Sequence, residues 1–510
     1  MNPNDDQIEK EAQRLEAQTE PLSRLNALLY TIPAEIPLAS LSARLRPLWE
    51  ALCEEDEITA SLFIEKSIKE HFGLKKSDLK PFHRVYLKLK KAHDSEVEDT
   101  KKKHEQTILL DRDINSSEAM DAIAKIGIVD RNVFDLVIAT YVAARLRALP
   151  PIWLMLVGAP SSFKTELVRL IDLPEIYSLD TLSENAFASG YVMPDGSDPD
   201  DLLPLLDGKC FVIKDLTTIF SLKEDTIKKI LGDMTSIFDG KFQKFTATRG
   251  EISYSSQFSM LSCITPAILS KHHRYMHQLG GRFFFVRMPE LTEEMRNRGH
   301  EIAWDTTDRK KRILTARQIV STYCHQISEK ALSTYPRIQP ESQDVKDWIN
   351  VAADFIARAR GTTVTRTSSF QNEKDEKIVF YEVSDPQIEQ PWRILNQLQS
   401  LTRVLASMRG KTRVTDEELE SIKPIVLSSM PIDRAVVITE LLKEDQLLAR
   451  KIADRIDKTT KTVNRDLKEL STLGLISVEE INDPKYAKVY SLKPEYKNFL
   501  TGLKTIEFPF

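Results

Sequence analysis

Residues 154–171 read LMLVGAPSSFKTELVRLI, and the fold turns on this stretch. Leu154, Met155, Leu156 and Val157 form a short apolar run of the kind that makes a buried strand. The run breaks at Gly158-Ala159-Pro160, passes Ser161 and Ser162, and reaches Lys164-Thr165. A helical pattern follows, with Leu167, Leu170 and Ile171 on one face. Strand, glycine-containing loop, Lys-Thr and helix is the order a nucleotide phosphate needs: loop and helix N–H groups face the anion, the lysine adds a point charge and the hydroxyl ligates Mg²⁺. Gly158, Lys164 and Thr165 stand in register with G-x-x-x-x-G-K-[ST], while Phe163 replaces the second glycine. Gly158, Ser161, Ser162, Lys164 and Thr165 are therefore candidate nucleotide ligands. An ordinary strand–loop–helix corner would also fit, so the rest of the chain must decide.

A chain of 510 residues is too long for one core and implies two to four domains. The net charge of -5 is mild, so any DNA-binding surface must be a local patch. The N-terminal MNPNDDQIEKEAQ has no apolar signal region, and the longest apolar run, 152–157, is far short of a membrane span. Cys53, Cys210, Cys263 and Cys324 are widely spaced, which fits a reduced, cytoplasmic chain without structural zinc or disulfides.

Residues 1–105 read as a helical N-terminal domain, ending in the mixed-charge run 88–104. From 106 to 150 the pattern gives a strand and then a helix. After the phosphate loop, 177–191 is polar with helical pieces, and MPDGSDPDD is a turn-rich insertion. A second buried strand, Cys210 to Ile213, ends in Lys214-Asp215, where a nucleotide hydrolase keeps the carboxylate for Mg²⁺ or water. An exposed acid at a strand end is common in any α/β protein, but beside the first motif it gains meaning. A helix then leads to the hairpin-like KFQKFTATRGEISYSS, with Thr248-Arg249-Gly250 at its tip and Lys244 in its first arm. A third strand ends at Thr265-Pro266, a helix follows, and Gly280-Gly281-Arg282 precedes a fourth strand, FFFVRM. Four buried strands alternating with helices make an α/β sheet over 106–330. Residues 331–430 read as mostly helical, with TTVTRTSSFQNEKDEK as a surface insertion.

Residues 431–510 give an independent signal. Three helical segments and two strand-like pieces around Asn482-Asp483-Pro484 have the layout of a winged helix-turn-helix. In the third helix Val463, Leu467 and Leu470 share an inward face, and Lys461, Asn464, Arg465 and Lys468 share the opposite one. Such a face can meet phosphates and base edges. Winged helices also serve as protein-contact modules.

Together these residues resemble the nucleotide-binding AAA+ core. They are more closely similar to the minichromosome-maintenance (MCM) replicative helicases and to the MCM-like helicases of mobile elements and phage satellites. The similarity follows segment order from about 150 to 500. By this resemblance Lys164 and Thr165 match the Walker A lysine and hydroxyl, and Asp215 the Walker B acid, with Mg²⁺ between Thr165 and Asp215. Thr265 stands at the sensor-1 position, Arg282 at the arginine finger, and Arg393, within a helical lid at 391–422, at sensor 2. The hairpin 241–257 corresponds to the pre-sensor-1 hairpin, with Arg249 as its DNA-touching residue. Two departures bear on rate: Walker A lacks its second glycine, and Walker B reads Lys214-Asp215, which leaves Glu184 as a remote candidate for a second acid.

The resemblance implies an ATP- and Mg²⁺-dependent DNA helicase or translocase. It would be a homo-oligomeric ring, a hexamer by analogy, with single-stranded DNA in the pore, duplex at the winged helix and a replication partner at the N-terminus. The alternative is an ATP-gated DNA-binding initiator or regulator. A protein-remodelling chaperone fits less well, because peptide-gripping loops present an aromatic-hydrophobic tip and Thr-Arg-Gly suits phosphate.

Overall fold

The computed structural model describes residues 107–192, 201–271, 281–289, 291–371, 377–483 and 486–501, with a discontinuous set between 23 and 93. Most of the charged run 88–104, residues 193–200 of the turn-rich insertion, and the segment 272–280 lie outside the described residues. The chain divides into two compact units, Met1–Gln106 and Thr107–Met193 with Asp198–Phe510.

The first unit is helical. Helix Arg46–Cys53 starts with Pro47 in its first turn, where the missing N–H has no partner to lose. A second helix begins at Glu57–Phe63 and passes through a π-helical turn at Ile64–Ile68. Leu25, Leu29, Leu48, Trp49, Phe63, Ile64 and Tyr86 make its core.

The second unit opens with seven strands: β1 (Trp153–Val157), β2 (Ile176–Leu179), β3 (Cys210–Ile213), β4 (Lys241–Thr246), β5 (Gly250–Ser255), β6 (Ser259–Ile264) and β7 (Phe283–Arg287). Five of them form one parallel sheet in the order β2-β3-β6-β1-β7. The sequence pattern yields only four, because β2 is a half-exposed edge strand without a continuous apolar run. The interior strands are buried on both faces and split by parity. Leu154 and Leu156 join the core under helix Arg131–Arg145, and Trp153, Met155 and Val157 join the one under Glu224–Phe238. Helix Arg131–Arg145 starts where Asp130 accepts from the Asn132 and Val133 amides at 2.8 and 3.2 Å, and it buries nearly every residue. The strand expected before it is absent: residues 107–115 carry no strand, and helix Ser116–Ile123 follows. A parallel sheet with helices on both faces fits an α/β AAA+ core.

Beyond β7, helices Glu293–Trp304 and Arg309–Thr334 precede Gln343–Arg360, Trp392–Met408 and Asp416–Ser428. Helix Arg309–Thr334 runs straight through the boundary placed at 330/331. The expected polar insertion is a long hairpin, β8 (Thr362–Gln371) with β9 (Lys377–Gln387). Four threonines, Val364, two serines and Phe370 in its first arm favour extended backbone over helix. The C-terminal module has helices Ile432–Lys443, Ala449–Arg455 and Thr460–Thr472. Its sheet runs β10 (Leu447–Leu448), β12 (Tyr486–Leu492), β11 (Ile476–Asp483). Gly474, at φ 75°, ends the third helix, and the Leu475 amide reaches back to Leu470 at 3.0 Å. Phe499 packs on Trp348, with ring centroids 4.7 Å apart, and Tyr496 on Phe355 at 5.4 Å. The module therefore shares a core with the helices after β7.

Candidate active site

The chain leaves β1 to one side of the sheet toward β2 and returns to β7 on its other side. β1 is thus a topological switch point, and the crevice beyond its carboxyl end is where open α/β sheets bind ligands. The loop 158–163 lies there. A side chain at Gly158 would put its Cβ 2.7 Å from both Met288 and the Ser162 hydroxyl, so the first glycine is a steric requirement. Phe163 keeps the backbone shape of the glycine it replaces, at φ 66° and ψ 2°, and caps helix Lys164–Arg169. Such a conformation costs a non-glycine residue on the order of 1–2 kcal/mol. Its ring lies over Gly127, where a methyl group would sit 2.2 Å away. The pairing of Phe163 with Gly127 thus offsets the strain through packing. The sequence departure changes the residue and preserves the turn.

Lys164 is 7% exposed, and its ammonium donates to the Gly158 and Ala159 carbonyls at 2.8 and 2.7 Å and to the Ser162 hydroxyl at 3.0 Å. Burial holds its pKa below the usual lysine value, countered by Cys263, Asp215 and Glu166. An arriving phosphate would replace neutral carbonyl acceptors by a full negative charge. Helix Lys164–Arg169 has only six residues, so loop amides and Lys164 carry the anion site more than any macrodipole does.

Asp215 and Thr265 reach the same end of the sheet through register. Val157 pairs with Ile264 on β6, and Ile213 of β3 pairs with Ser262, so Gly158, Thr265 and Asp215 extend from neighbouring strand ends. The Leu216 amide donates to the Cys263 carbonyl at 2.9 Å, and Asp215 accepts from the Thr217 amide at 2.9 Å. Cys263, under this cluster, was not singled out in the sequence; burial pushes its thiol up to about 12. Lys214 turns aside to Asp180 at 2.9 Å, and Asp180, which follows β2, is the acid nearest in register to Asp215. Glu184 pairs with Lys229 at 2.6 Å instead. Thr165 and Asp215 are hard oxygen donors. One hydroxyl and one carboxylate suit Mg²⁺, which keeps waters and phosphate oxygens as its other ligands. Among the described residues no group of three or more acidic, His or Cys side chains could hold a metal alone.

Beside the loop opens a cavity of about 600 Å³, lined by Ile126, Ile128, Met288, Leu291, Ile302 and Ile313. Ser161, Ser162 and Phe163 form its phosphate-loop wall, and Arg309, Arg312 and Arg317 of the long helix face it. The Arg317 Nε is buried without a hydrogen bond. These residues come from loops and helix turns far apart in sequence. The only signal available was the position of helix Arg309–Thr334 after the last core strand.

The two arginines expected to serve phosphate do not converge here. Arg282 precedes Phe283, which pairs with Trp153 at the opposite end of β1. Five strand residues separate it from the phosphate loop, about 16 Å. It is 7% exposed, 3.4 Å from Asp239, with its guanidinium 5.7 Å from the centre of the Phe238 ring. Burial first, then the nearby charge of Arg393, lowers its pKa. The Gln397 side-chain amide, one turn beyond Arg393 on helix Trp392–Met408, donates to the Arg282 carbonyl at 2.9 Å, which puts Arg393 at that end as well. Arg282 lines a second cavity of about 400 Å³ along β7, together with Arg360, Glu389 and Arg465.

The hairpin β4–β5 corrects the expectation for its cations. Arg249 is not presented at the tip: its side chain is 6% exposed and 2.7 Å from Asp201, itself 1% exposed. Tyr254 donates to the same carboxylate at 2.7 Å, and the Ser189 amide donates to its other oxygen at 2.6 Å. Lys244 likewise turns inward, to Asn185 and the Ala188 carbonyl at 3.1 and 3.0 Å. In the C-terminal module Lys461, Asn464 and Lys468 lie on an exposed helix face. Arg465 departs from them, pairing with Asp466 at 3.0 Å.

No known family model and no curated protein matches the chain. Among solved structures, the Aeropyrum pernix ORC1 protein in complex with DNA is similar over 75% of this chain and 95% of that one, at 13% identity and a TM-score of 0.24. No helix among the described residues is long and apolar enough to cross a membrane, and Cys53, Cys210, Cys263 and Cys324 are all free and buried.

Proposed function

We propose that this protein is an ATP-dependent DNA helicase or translocase that works as a ring of copies. The observation that carries this reading is the convergence of Lys164, Thr165, Asp215 and Thr265 at the switch point of the sheet, beside a cavity of about 600 Å³ with an aliphatic wall and several charged side chains at its rim. The cavity suits a purine base, and the loop suits its phosphates. Lys164 would neutralise the outer phosphates. Thr165 and Asp215 would hold Mg²⁺, which supplies charge neutralisation at the transferred phosphoryl group. Thr265 would orient the γ-phosphate or water, and Arg317 offers a cation from the same chain.

Arg282 and Arg393 sit too far from their own loop to serve it, so in this reading they serve the loop of a neighbouring copy. That role requires Arg282 to leave Asp239 when copies assemble. DNA would meet the hairpin β4–β5 and, as duplex, the exposed Lys461, Asn464 and Lys468 of a winged helix.

A second reading, an ATP-gated DNA-binding initiator, is favoured by one observation. Lys214, paired to Asp180, stands where a second carboxylate would speed hydrolysis. Strand separation on a forked duplex distinguishes the two. The motor reading expects unwinding with ATP, and none with a non-hydrolysable analogue or in Lys164→Ala. Nucleotide-dependent assembly or duplex binding without strand separation would establish the initiator instead.

A further inference from the structure

The hairpin β4–β5 is a separate two-stranded sheet, and one of its faces is exposed along its length. Strand parity divides its side chains. Phe242 and Ile252 are buried toward the body, and Lys244 turns the same way. The other face carries Lys241, Gln243 and Phe245, paired across the ribbon with Ser255, Ser253 and Glu251. Phe245 is 80% exposed there. Burying a phenylalanine is worth about 1.5–3 kcal/mol, and this fold forgoes it one pair before the turn.

The turn itself is fixed. Gly250, at φ 71°, closes the three-residue connection Ala247-Thr248-Arg249. Arg249, Asp201 and Tyr254 pin it from the body side, and the Thr248 hydroxyl donates to the Gly190 carbonyl. The buried arginine is thus an anchor that holds an outward aromatic ring in place.

We infer that Phe245 is a stacking platform for a base of single-stranded DNA, with Lys241 and Gln243 placed along the same strand face to meet its backbone. This deepens the DNA-motor reading and rests on it. An aromatic ring accepts any base and so suits a protein that must hold every sequence in turn. The neighbours decide between DNA and polypeptide. A peptide grip pairs its aromatic with a second apolar side chain, whereas the outer face around Phe245 offers hydroxyl, amide and ammonium donors with one acid. i to i+2 spacing puts Gln243 about 7 Å from Phe245, within reach of the adjoining sugar-phosphate.

The test uses the full chain and a fluorescein-labelled oligo(dT), with affinity followed by anisotropy over a range of salt. Phe245→Ala is expected to weaken binding roughly tenfold or more with an unchanged salt slope, since a lost stack releases no counterions. Phe245→Trp is expected to restore affinity, with indole emission quenched on DNA relative to the wild-type chain. Wild-type affinity in Phe245→Ala, while the wild type binds DNA, would overturn this inference alone. Failure of the wild type to bind oligo(dT) in any nucleotide state would remove the DNA reading beneath it. Phe245-dependent binding of a permanently unfolded polypeptide, with none to oligo(dT), would assign the hairpin to protein remodelling and overturn the inference.

Discussion

The phosphate loop and the β4–β5 hairpin each carry one basic residue at a position that suits a phosphate, and the two side chains are held differently. Lys164 lies where its place in the motif put it, curled over the loop it follows. Arg249 holds its place in the chain but points the other way, into a buried pair with Asp201. The contrast has a simple cause. A phosphate loop is a local object: consecutive residues wrap one anion, so sequence order nearly fixes geometry. A hairpin contact depends on which face a side chain takes and on partners 40 to 60 residues away, such as Asp201, Asn185 and Ser189.

The largest expected effect that would break this contrast is at Arg249. Removing one partner of a buried ion pair typically costs about 3–5 kcal/mol. Arg249→Ala should therefore speed amide hydrogen exchange across residues 241–255 by about 100-fold or more, while the salt slope of DNA binding stays near wild type. Unchanged exchange, with a slope lowered by about one, would restore Arg249 as a phosphate contact.

A smaller effect sharpens the other side. Gly127→Ala should push the Phe163 ring off its seat and disturb the loop, lowering ATP affinity about tenfold. In a Phe163→Ala background the same methyl should add little, because the two residues act as one unit. Additive losses would mean that the ring and Gly127 are independent.

Much of the site was legible for the same reason. The Lys-Thr motif and the polar residues ending β3 and β6 marked Lys164, Thr165, Asp215 and Thr265 as candidates, and strand register brings them to one end of the sheet. Parity would also have turned Lys244 inward with Phe242, since both carry even numbers on one strand. The strand β2 escaped because Ile176–Leu179 is half-exposed and too polar to make an apolar run, whereas β7, at the other edge, keeps one. The cavity wall escaped because Ile128, Met288 and Ile313 meet only after folding, and Arg317 escaped with it. Arg282 and Arg393 were placed by family likeness, and their packing at the far end of β1 followed from register that no motif records.

The most direct test of the account is steady-state ATP hydrolysis, with and without single-stranded DNA, by the wild type and Lys164→Ala. The account predicts hydrolysis that DNA stimulates and that Lys164→Ala lowers at least 100-fold. Turnover indifferent to DNA and unchanged by Lys164→Ala would contradict it, because the loop at the end of β1 would then not be the place where phosphate is held.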